Sequence, residues 1–274
     1  MISIVIPVMN EAENISQLIP RIYALPYAVE VLLIDAKYGS ADNTEEIIEK
    51  FKNQDNYKNL NLIRQQESGF ANALIEGLKA AKGDVIITMD AENHLPEEIP
   101  LLINKLREKN ANVVVGSRFL KGANVALDKK RLIPSKIGNK IAKASLRLNI
   151  EDCSSGFRAY KTSTVQSALE NMKTQYFSVQ VEILDRIKEA GGKLLEVPCT
   201  YVARESGKSK YDIKPAFEDS VNILKIAKDR QIGDIKTKTG NIKDKFKDMK
   251  LEADKVKSKG EDIFQKKFKI QFKM

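Results

Sequence analysis

The sequence of 274 residues has no tryptophan, one histidine and only two cysteines. Cys153 and Cys199 lack the close spacing of a zinc site, so we expect two reduced packing residues and a reducing compartment. No apolar run approaches the ~20 residues that a membrane-spanning helix needs. The chain also opens directly on a strand-like run, without the basic region and cleavage site of a signal peptide. These absences predict a cytoplasmic protein, either soluble or peripheral on the cytoplasmic face of a membrane.

Two common nucleotide-binding motifs are also absent. No Gly-x-Gly-x-x-Gly follows the first predicted strand and no Gly-x-x-x-x-Gly-Lys-Ser/Thr is present, which removes the usual support for nicotinamide-dinucleotide and P-loop enzymes. The loop Asn10-Glu11-Ala12-Glu13 also lacks the glycine- and arginine-rich chemistry of a sugar nucleotidyltransferase. Basic patches that bind nucleic acid interleave several aromatic types, whereas the basic C-terminal region has only phenylalanine, so no nucleic-acid partner is expected.

The net charge of +9 favours an anionic partner, such as a membrane surface or a phosphorylated substrate. Because the composition changes after residue 230, we divide the chain into a folded domain, 1–230, and a basic helical or disordered tail, 231–274. Apolar residues of the tail, such as Ile242, Phe246 and Met249, recur at helical spacings among lysines, which would suit a helix lying on an anionic membrane. Interleaved acidic residues equally support an appendage that contacts nothing.

Strand-like runs alternate with amphipathic helical stretches, which predicts an α/β fold with a mostly parallel sheet covered on both faces. The predicted strands of the first half are 2–8, 29–35, 60–64, 84–90 and 113–117. The predicted helices between them are 13–24, 44–52, 69–81 and 96–109. The second half predicts a basic helix at 136–148, a hairpin at 150–160, a helix at 179–190, a strand at 194–202 and a helix at 215–230.

One buried-strand run ends in Asp90-Ala91-Glu92-Asn93, followed by His94, the only histidine of the chain. At the end of a strand, alternation places side chains two residues apart on the same side, so Asp90 and Glu92 could point together. Two carboxylates there would suit a hard divalent cation, which prefers oxygen ligands and bridges phosphates. A solvated acidic turn is the alternative interpretation of the pair.

Further candidate residues fall at the carboxyl ends of predicted strands, where α/β sheets bind ligands. Pro7, Asn10 and Glu11 follow or end the first strand, Asp35 ends the second, and Arg118 follows the fifth. Asn10 and Glu11 could instead cap the next helix. Asp35 could accept hydrogen bonds from a nucleobase or cap the turn that follows it.

The ordered set of motifs resembles family 2 glycosyltransferases of the GT-A fold, and within them the branch of dolichyl-phosphate mannosyltransferases and related polyprenyl-phosphate glycosyltransferases. The motifs are Ser3-Ile4-Val5-Ile6-Pro7-Val8-Met9-Asn10-Glu11, Asp35 with Gly39-Ser40-Ala41-Asp42-Asn43-Thr44, Asp90-Ala91-Glu92, Gly116-Ser117-Arg118, Ser155-Gly156-Phe157-Arg158, and Arg204 with Gly207-Lys208-Ser209-Lys210. The resemblance implies an inverting enzyme that moves a sugar from a GDP- or UDP-sugar to a polyprenyl or dolichyl phosphate.

The resemblance also implies roles for individual residues. Nucleotide contacts are implied for Pro7, Asn10, Glu11, Asp35, Asp90 and Ala91. A Mg²⁺ or Mn²⁺ cofactor is implied at Asp90 and Glu92, with Asn93 or His94 as the third ligand. Contacts to the acceptor phosphate are implied for Arg118, Arg131, Ser135, Arg204 and Lys210, with Ser155, Arg158 and Glu182 on the acceptor side. Asp90, Glu92 and Arg118 would carry catalysis. A phosphate acceptor needs no strong base, whereas a hydroxyl acceptor would require a carboxylate such as Glu182 or Asp152.

The sequence departs from the family pattern at two places. Ala36 stands where the family usually has a second aspartate, and Lys37-Tyr38 look like an insertion before Gly39. Glu92 stands where the family usually has aspartate, which keeps the charge but adds a methylene. These departures leave open a degenerate member of the fold that serves as a binding or scaffold protein.

Overall fold

The computed structural model describes residues 1–126, 129–170, 172, 176, 178–202 and 222–227, with the side chains of 129–131 and 134 excepted. The chain divides into two compact units, Met1–Ile226 and Ala227–Met274. No helix among the described residues is long and apolar enough to cross a membrane.

A seven-stranded sheet forms the centre of the first unit. Its strands, in spatial order, are β3 (Leu60–Arg64), β2 (Val29–Asp35), β1 (Ile2–Val8), β4 (Val85–Thr88), β7 (Arg158–Lys161), β5 (Val113–Ser117) and β8 (Leu194–Pro198). Every neighbouring pair is parallel except the two that involve β7. Two short strands, β6 (Asn124–Val125) and β9 (Thr200–Tyr201), form a separate parallel pair. The predicted α/β class and mostly parallel sheet are confirmed.

Seven α-helices pack around the strands or connect them. They are α1 (Ala12–Tyr23), α2 (Thr44–Lys52), α3 (Phe70–Ala80), α4 (Ile99–Glu108), α5 (Lys129–Leu146), α6 (Thr162–Ala168) and α7 (Val179–Glu189) among the described residues. Residues 222–227 are also helical, and the rest of the helix predicted at 215–230 lies outside the described residues. Two short 3₁₀ helices, Asp55–Tyr57 and Pro96–Glu98, precede β3 and α4.

The central strands are apolar on both faces because helices cover both sides of the sheet. All seven residues of β2 are buried, as are all five of β5. Helix α1 turns Ile15, Leu18, Ile19 and Ile22 towards the sheet, at the spacing that places residues on one helical face. The strand-like runs of the sequence thus predicted β1, β2, β3 and β5 with their observed bounds.

The hairpin predicted at 150–160 is wrong. Only Arg158–Lys161 forms a strand in this region, and it inserts antiparallel between β4 and β5. Strand β4 is also shorter than predicted, because it ends at Thr88 and the chain turns through residues 91–93. The single strand predicted at 194–202 divides into β8 and β9, and the basic helix begins at Lys129 rather than at residue 136.

Candidate active site

The carboxyl ends of β1, β2, β4 and β5 lie at one edge of the main sheet. Because β7 runs antiparallel between β4 and β5, its first residue, Arg158, pairs with both Thr88 and Val115. The loops that follow β4 and β5 therefore flank the loop that precedes Arg158. This register brings Asp90 and Arg118 to neighbouring positions on either side of β7.

Asp90 lies in the loop that follows β4. Its backbone N–H donates to Nδ1 of His94 at 2.9 Å, and the Thr88 hydroxyl donates to the carbonyl oxygen of Gly156 at 2.7 Å. The side chain of Asp90 is 36% exposed. A Cβ at position 156 would lie 3.3 Å from Asp90 Oδ1, so the absence of a side chain on Gly156 keeps the space beside this carboxylate open.

His94 is buried between two aromatic rings. Its imidazole stacks on Phe157 with ring centroids 5.0 Å apart and meets the Tyr201 ring edge-on at 5.5 Å. Because Nδ1 accepts the Asp90 N–H, the ring is the neutral tautomer with its proton on Nε2. Burial lowers the pKa of His94 more than the neighbouring Asp90 carboxylate raises it. His94 therefore supports the Asp90 loop, and its role as a metal ligand stays a prediction.

Asn93 is tied to the region of β9. Its Nδ2 donates to the carbonyl oxygen of Val202 at 3.1 Å, and its Oδ1 accepts from the Tyr201 hydroxyl at 3.0 Å. Glu92 lies in the same turn and is half-buried. Among the described residues, no group of three or more His, Cys, Asp or Glu side chains could hold a metal by itself. Because β4 ends at Thr88, strand alternation does not place Asp90 and Glu92 on one side. The two residues still supply one loop with carboxylates, which bind Mg²⁺ together with substrate phosphates in many proteins. Their role as metal ligands stays a prediction.

Arg118 follows β5 and is held by Asp152. Its Nε and Nη2 donate to the two carboxylate oxygens at 2.7 and 2.8 Å, and its backbone N–H donates to Asp152 Oδ2 at 3.0 Å. The Arg118 side chain is 11% exposed, while that of Asp152 is fully buried. The guanidinium also lies 5.4 and 5.5 Å from the ring centroids of Phe119 and Tyr201. Such a bidentate pair fixes the guanidinium plane as well as its position.

The ion pair determines how both partners titrate. Burial alone would raise the pKa of Asp152, but the charge and hydrogen bonds of Arg118 outweigh it and hold that pKa below its usual range. Burial alone would lower the pKa of Arg118, but the charge and hydrogen bonds of Asp152 outweigh burial and raise that pKa. Both groups therefore stay ionised at neutral pH. Asp152, the candidate base for a hydroxyl acceptor, is the counter-ion of Arg118 in this structure.

Ser154 joins Arg118 to helix α5. Its hydroxyl accepts from Arg118 Nη2 and from Asn139 Nδ2, each at 2.8 Å. Asn139 Oδ1 accepts the Ser154 N–H at 3.0 Å, and Asn139 Nδ2 also donates to the carbonyl oxygen of Ser135 at 2.9 Å. The structure thus brings Ser135, predicted to contact the acceptor phosphate, within one helical turn of the residue that anchors this network.

Two predicted acceptor-side residues form part of the core. Arg158 is fully buried, and its guanidinium donates to the carbonyl oxygens of Cys153, Ser155 and Gln180 at 2.7 Å each, and to the Tyr160 hydroxyl at 3.1 Å. The Ser155 hydroxyl donates to a backbone carbonyl of β5, that of Gly116, at 2.6 Å. These contacts hold the loop that carries Gly156 against the sheet.

Glu182, the third acceptor-side candidate, lies on the buried face of α7. Its Oε1 accepts from Arg186 Nε at 2.9 Å and lies 2.8 Å from Arg186 Nη2. The Glu182 side chain is 3% exposed. An ion-paired carboxylate at this burial is poorly placed to take a proton from a substrate hydroxyl.

Asp35, predicted to contact the nucleobase, is fully buried at the end of β2. Its Oδ1 accepts from the Ala36 N–H at 2.9 Å and the Ser40 hydroxyl at 2.7 Å. Its Oδ2 accepts from the Ser40 N–H at 3.2 Å and from Arg64 Nη1 at 2.8 Å. The carboxylate thus organises the loop after β2.

The remaining nucleotide-side candidates lie around the start of α1. Pro7 is the penultimate residue of β1, and Ala91 belongs to the buried core. Glu11 occupies the N-cap position of α1 without a side-chain cap bond. Its N–H donates to the Thr44 hydroxyl at 2.8 Å, and its Oε2 accepts from Asn14 Nδ2 at 2.7 Å. The side chain of Asn10 bonds across to the loop after β2, where its Oδ1 accepts the Ala41 N–H at 2.6 Å.

Several predicted residues lie outside the described part of the chain. They are Arg204, Lys208 and Lys210, the side chain of Arg131, and the whole tail from residue 231 to residue 274. Their roles stay predictions.

Three residues of the site were missed by the sequence analysis. Arg64 ends β3 and pairs in register with Asp35, so two opposite charges at neighbouring strand ends were a usable signal. Tyr201 contacts both His94 and Arg118, although its distance in sequence from both gave no indication. Gln180, a polar residue that is 2% exposed on α7, approaches the open space beside Gly156, where a Cβ would lie 3.5 Å from its Nε2.

Comparison with curated proteins gives relatives that cover most of the chain. A dolichol-phosphate mannosyltransferase of Pyrococcus furiosus is 32% identical over 237 residues, which are 83% of this chain and 64% of that protein. An undecaprenyl-phosphate mannosyltransferase of Micrococcus luteus is 30% identical over 227 residues, 81% of this chain and 91% of that protein. This chain thus spans just under two thirds of the length of the archaeal relative.

Solved structures show the same fold at lower identity. Glucosyl-3-phosphoglycerate synthase of Mycobacterium tuberculosis, in complex with Mn²⁺, UDP and phosphoglyceric acid, superposes with a TM-score of 0.63 at 18% identity, over 82% of this chain and 76% of that one. A complex of the same enzyme with Mg²⁺ and UDP gives a TM-score of 0.59 at 17% identity, with the same coverage. These similarities confirm the predicted GT-A fold. The sequence profile described as "Glycosyl transferase family 2" matches residues 3–168, and the chain belongs to this family.

Proposed function

We propose that this protein is an inverting glycosyltransferase that moves a sugar from a nucleotide-sugar donor to a polyprenyl phosphate. The observation that carries the proposal is the placement of two opposite charges on either side of β7. Asp90 presents a partly exposed carboxylate after β4, and Arg118 presents a guanidinium fixed by Asp152 after β5. The first suits the cation that accompanies a diphosphate leaving group, and the second suits an acceptor phosphate.

On the donor side, Asp90 and Glu92 would hold Mg²⁺ or Mn²⁺ together with the diphosphate. The ion would neutralise the charge that develops on the leaving diphosphate. The protein's own contribution is to keep the Asp90 loop in place through His94 and to leave space beside Gly156. The relatives with polyprenyl-phosphate acceptors and the fold relatives with bound Mn²⁺ or Mg²⁺ support this assignment.

On the acceptor side, the burial of the two candidate bases, Asp152 and Glu182, favours a phosphate acceptor over a hydroxyl acceptor. A hydroxyl needs a general base within hydrogen-bond reach, but Asp152 and Glu182 are both buried in ion pairs with arginines. A phosphate monoester is already ionised at neutral pH and needs no base. Arg118 Nη1 makes no hydrogen bond with the described residues, so two N–H groups of a preoriented guanidinium remain for phosphate oxygens.

The reaction would be a single in-line displacement. An oxygen of the acceptor phosphate attacks the anomeric carbon of the sugar, while the bond from that carbon to the nucleoside diphosphate breaks and its electron pair leaves with the diphosphate. The configuration at the anomeric carbon inverts, and no proton has to move. Arg118 orients the attacking phosphate and screens its repulsion from the donor, which is the electrostatic positioning that phosphate chemistry requires.

The proposal is tested by incubating the protein with radiolabelled GDP- and UDP-sugars, Mn²⁺ and polyprenyl phosphate, and by measuring label in the lipid phase. Asp90→Asn should lower turnover by about a hundredfold, on the order seen when a charge-stabilising group is removed. Asp84→Asn is the matched control, because Asp84 precedes β4 at the opposite end and is 89% exposed. Lipid labelling that is absent in the wild type, or equal in the two variants, would refute the assignment.

A further inference from the structure

The loop after β2 exposes an aromatic ring beside the predicted donor site. Tyr38 is 89% exposed and Met9 is 41% exposed. Met9 directly follows β1, and Tyr38 lies three residues beyond β2, its parallel neighbour. Both therefore lie at the sheet edge where α/β proteins bind nucleotides. Tyr38 belongs to the Lys37-Tyr38 pair that departs from the family pattern.

The two loops that carry these side chains are fastened to each other. The Asn10 N–H donates to the Ser40 hydroxyl at 2.9 Å, and the Ala41 N–H donates to Asn10 Oδ1 at 2.6 Å. The Ala12 N–H donates to Asp42 Oδ2 at 3.1 Å. These bonds hold the loop that follows Met9 against the loop that carries Tyr38.

Asp35, at the base of the loop, has no acceptor position left for a nucleobase. A carboxylate offers about four lone-pair sites, and Ala36, Ser40 and Arg64 together supply four donors to them. Arg64 reaches Asp35 across Gly39, where a Cβ would collide with the guanidinium. Recognition of the base therefore has to come from other groups in the two loops.

We propose that Tyr38 forms the platform on which the nucleobase of the donor stacks, with Met9 at the same edge of the sheet. This inference rests on the proposed function, since it assumes a nucleotide donor. Every nucleobase has apolar π-faces. Stacking on an aromatic side chain removes one face of the base and one face of the ring from water, and it requires no hydrogen bonds to particular base edges. A stacked tyrosine thus supplies the affinity that the engaged Asp35 carboxylate cannot supply.

The test is calorimetric titration of the full-length protein with GDP, UDP and inorganic diphosphate, each with Mn²⁺. Tyr38→Ala should weaken the binding of both nucleotides by about tenfold or more, the order of one base–aromatic stack. Tyr38→Phe keeps the ring and should bind both nucleotides within about twofold of the wild type. Inorganic diphosphate, which has no base, should bind all variants alike.

Leu101→Ala serves as the matched control, because Leu101 is an exposed apolar side chain on α4, 45% exposed. It should leave all three affinities unchanged. Wild-type affinity of Tyr38→Ala for both nucleotides would overturn the inference while leaving the proposed function intact. Equal weakening of diphosphate and nucleotides would also overturn it, because the change would then act through the loop. A wild-type protein that binds neither nucleotide would overturn the proposed function and this inference together.

Discussion

The Arg118–Asp152 ion pair gives the sharpest test of how the site is built. Asp152→Asn keeps the size of the side chain but removes the negative charge that three Arg118 N–H groups contact. Removing one partner of a buried pair leaves an uncompensated charge and costs about 3–5 kcal/mol. Because Asp152 is fully buried and Arg118 is only 11% exposed, water cannot take over this role.

The measurement is thermal and urea unfolding of the purified variants at pH 7. A loss of that size corresponds to a decrease in Tm of about 10 °C for a domain of this length. Glu97→Gln is the control, because Glu97 forms an equally bidentate pair with Arg21, at 2.8 and 2.7 Å, on the protein surface. Exposed pairs contribute about 0–1 kcal/mol. Equal losses in Asp152→Asn and Glu97→Gln would refute the reasoning.

The difference in unfolding free energy between the wild type and Asp152→Asn should depend on pH in a defined direction. Arg118 holds the pKa of Asp152 below its usual range in the folded protein, so the stabilisation is fully present above the unfolded-state value of about 4. It is lost as the pH falls through the lower folded-state pKa. The gap in unfolding free energy between the wild type and Asp152→Asn should therefore persist from pH 7 to about pH 4 and shrink below it. A gap that closes already between pH 7 and 5 would contradict this assignment.

Two further changes test the Asp90 loop. Burial lowers the pKa of His94, so the unfolded chain binds the proton more readily, and the wild type should lose stability below about pH 6.5, by at most about 1.4 kcal/mol per pH unit. His94→Gln should remove this dependence of the unfolding free energy on pH, measured by urea unfolding at pH 7 and 5.5. Since the chain has one histidine, an unchanged pH dependence in the variant would exclude His94 as its cause. Gly156→Ala would place a Cβ 3.3 Å from Asp90 Oδ1 and should lower turnover about tenfold to a hundredfold through misplacement. Gly138→Ala, with nothing within 4 Å of its Cβ, should leave turnover unchanged, and similar turnover of the two variants would contradict the role of position 156.

The elements that could be predicted from the sequence are those whose stability is local or strongly patterned. Strands β1, β2, β3 and β5 are short runs rich in apolar residues, and their observed bounds match the prediction. Strand β7 has only four residues, and its partners lie far away in sequence. It begins at a buried arginine, Arg158, a residue type that is almost never fully buried unless paired. Periodicity carries no signal for such an element.

The same distinction applies to the candidate site. Residues at strand ends, such as Asp35, Asp90 and Arg118, were found because α/β topology fixes where strand ends meet. Their partners were not recognised as partners, because Asp152 and Tyr201 come from a loop and a short strand with no periodic pattern, and Asp152 was predicted only as a possible base. The partners nevertheless determine what each carboxylate can do. Asp35 accepts hydrogen bonds from donors within the protein, and Asp152 forms an ion pair with Arg118. A sequence motif therefore located charged groups but could not distinguish a free carboxylate from an engaged one.

The loop before β7 links the donor and acceptor sides of the proposed reaction. Arg158 holds this loop by donating to the carbonyl oxygens of Cys153 and Ser155. Ser154 in the same loop contacts Arg118, and Gly156 lies beside Asp90. An in-line displacement requires the attacking oxygen and the anomeric carbon to be held about 3–3.5 Å apart. The loop that the buried Arg158 holds therefore contacts both Arg118 and the space beside Asp90, and it would place the proposed donor and acceptor sides relative to each other.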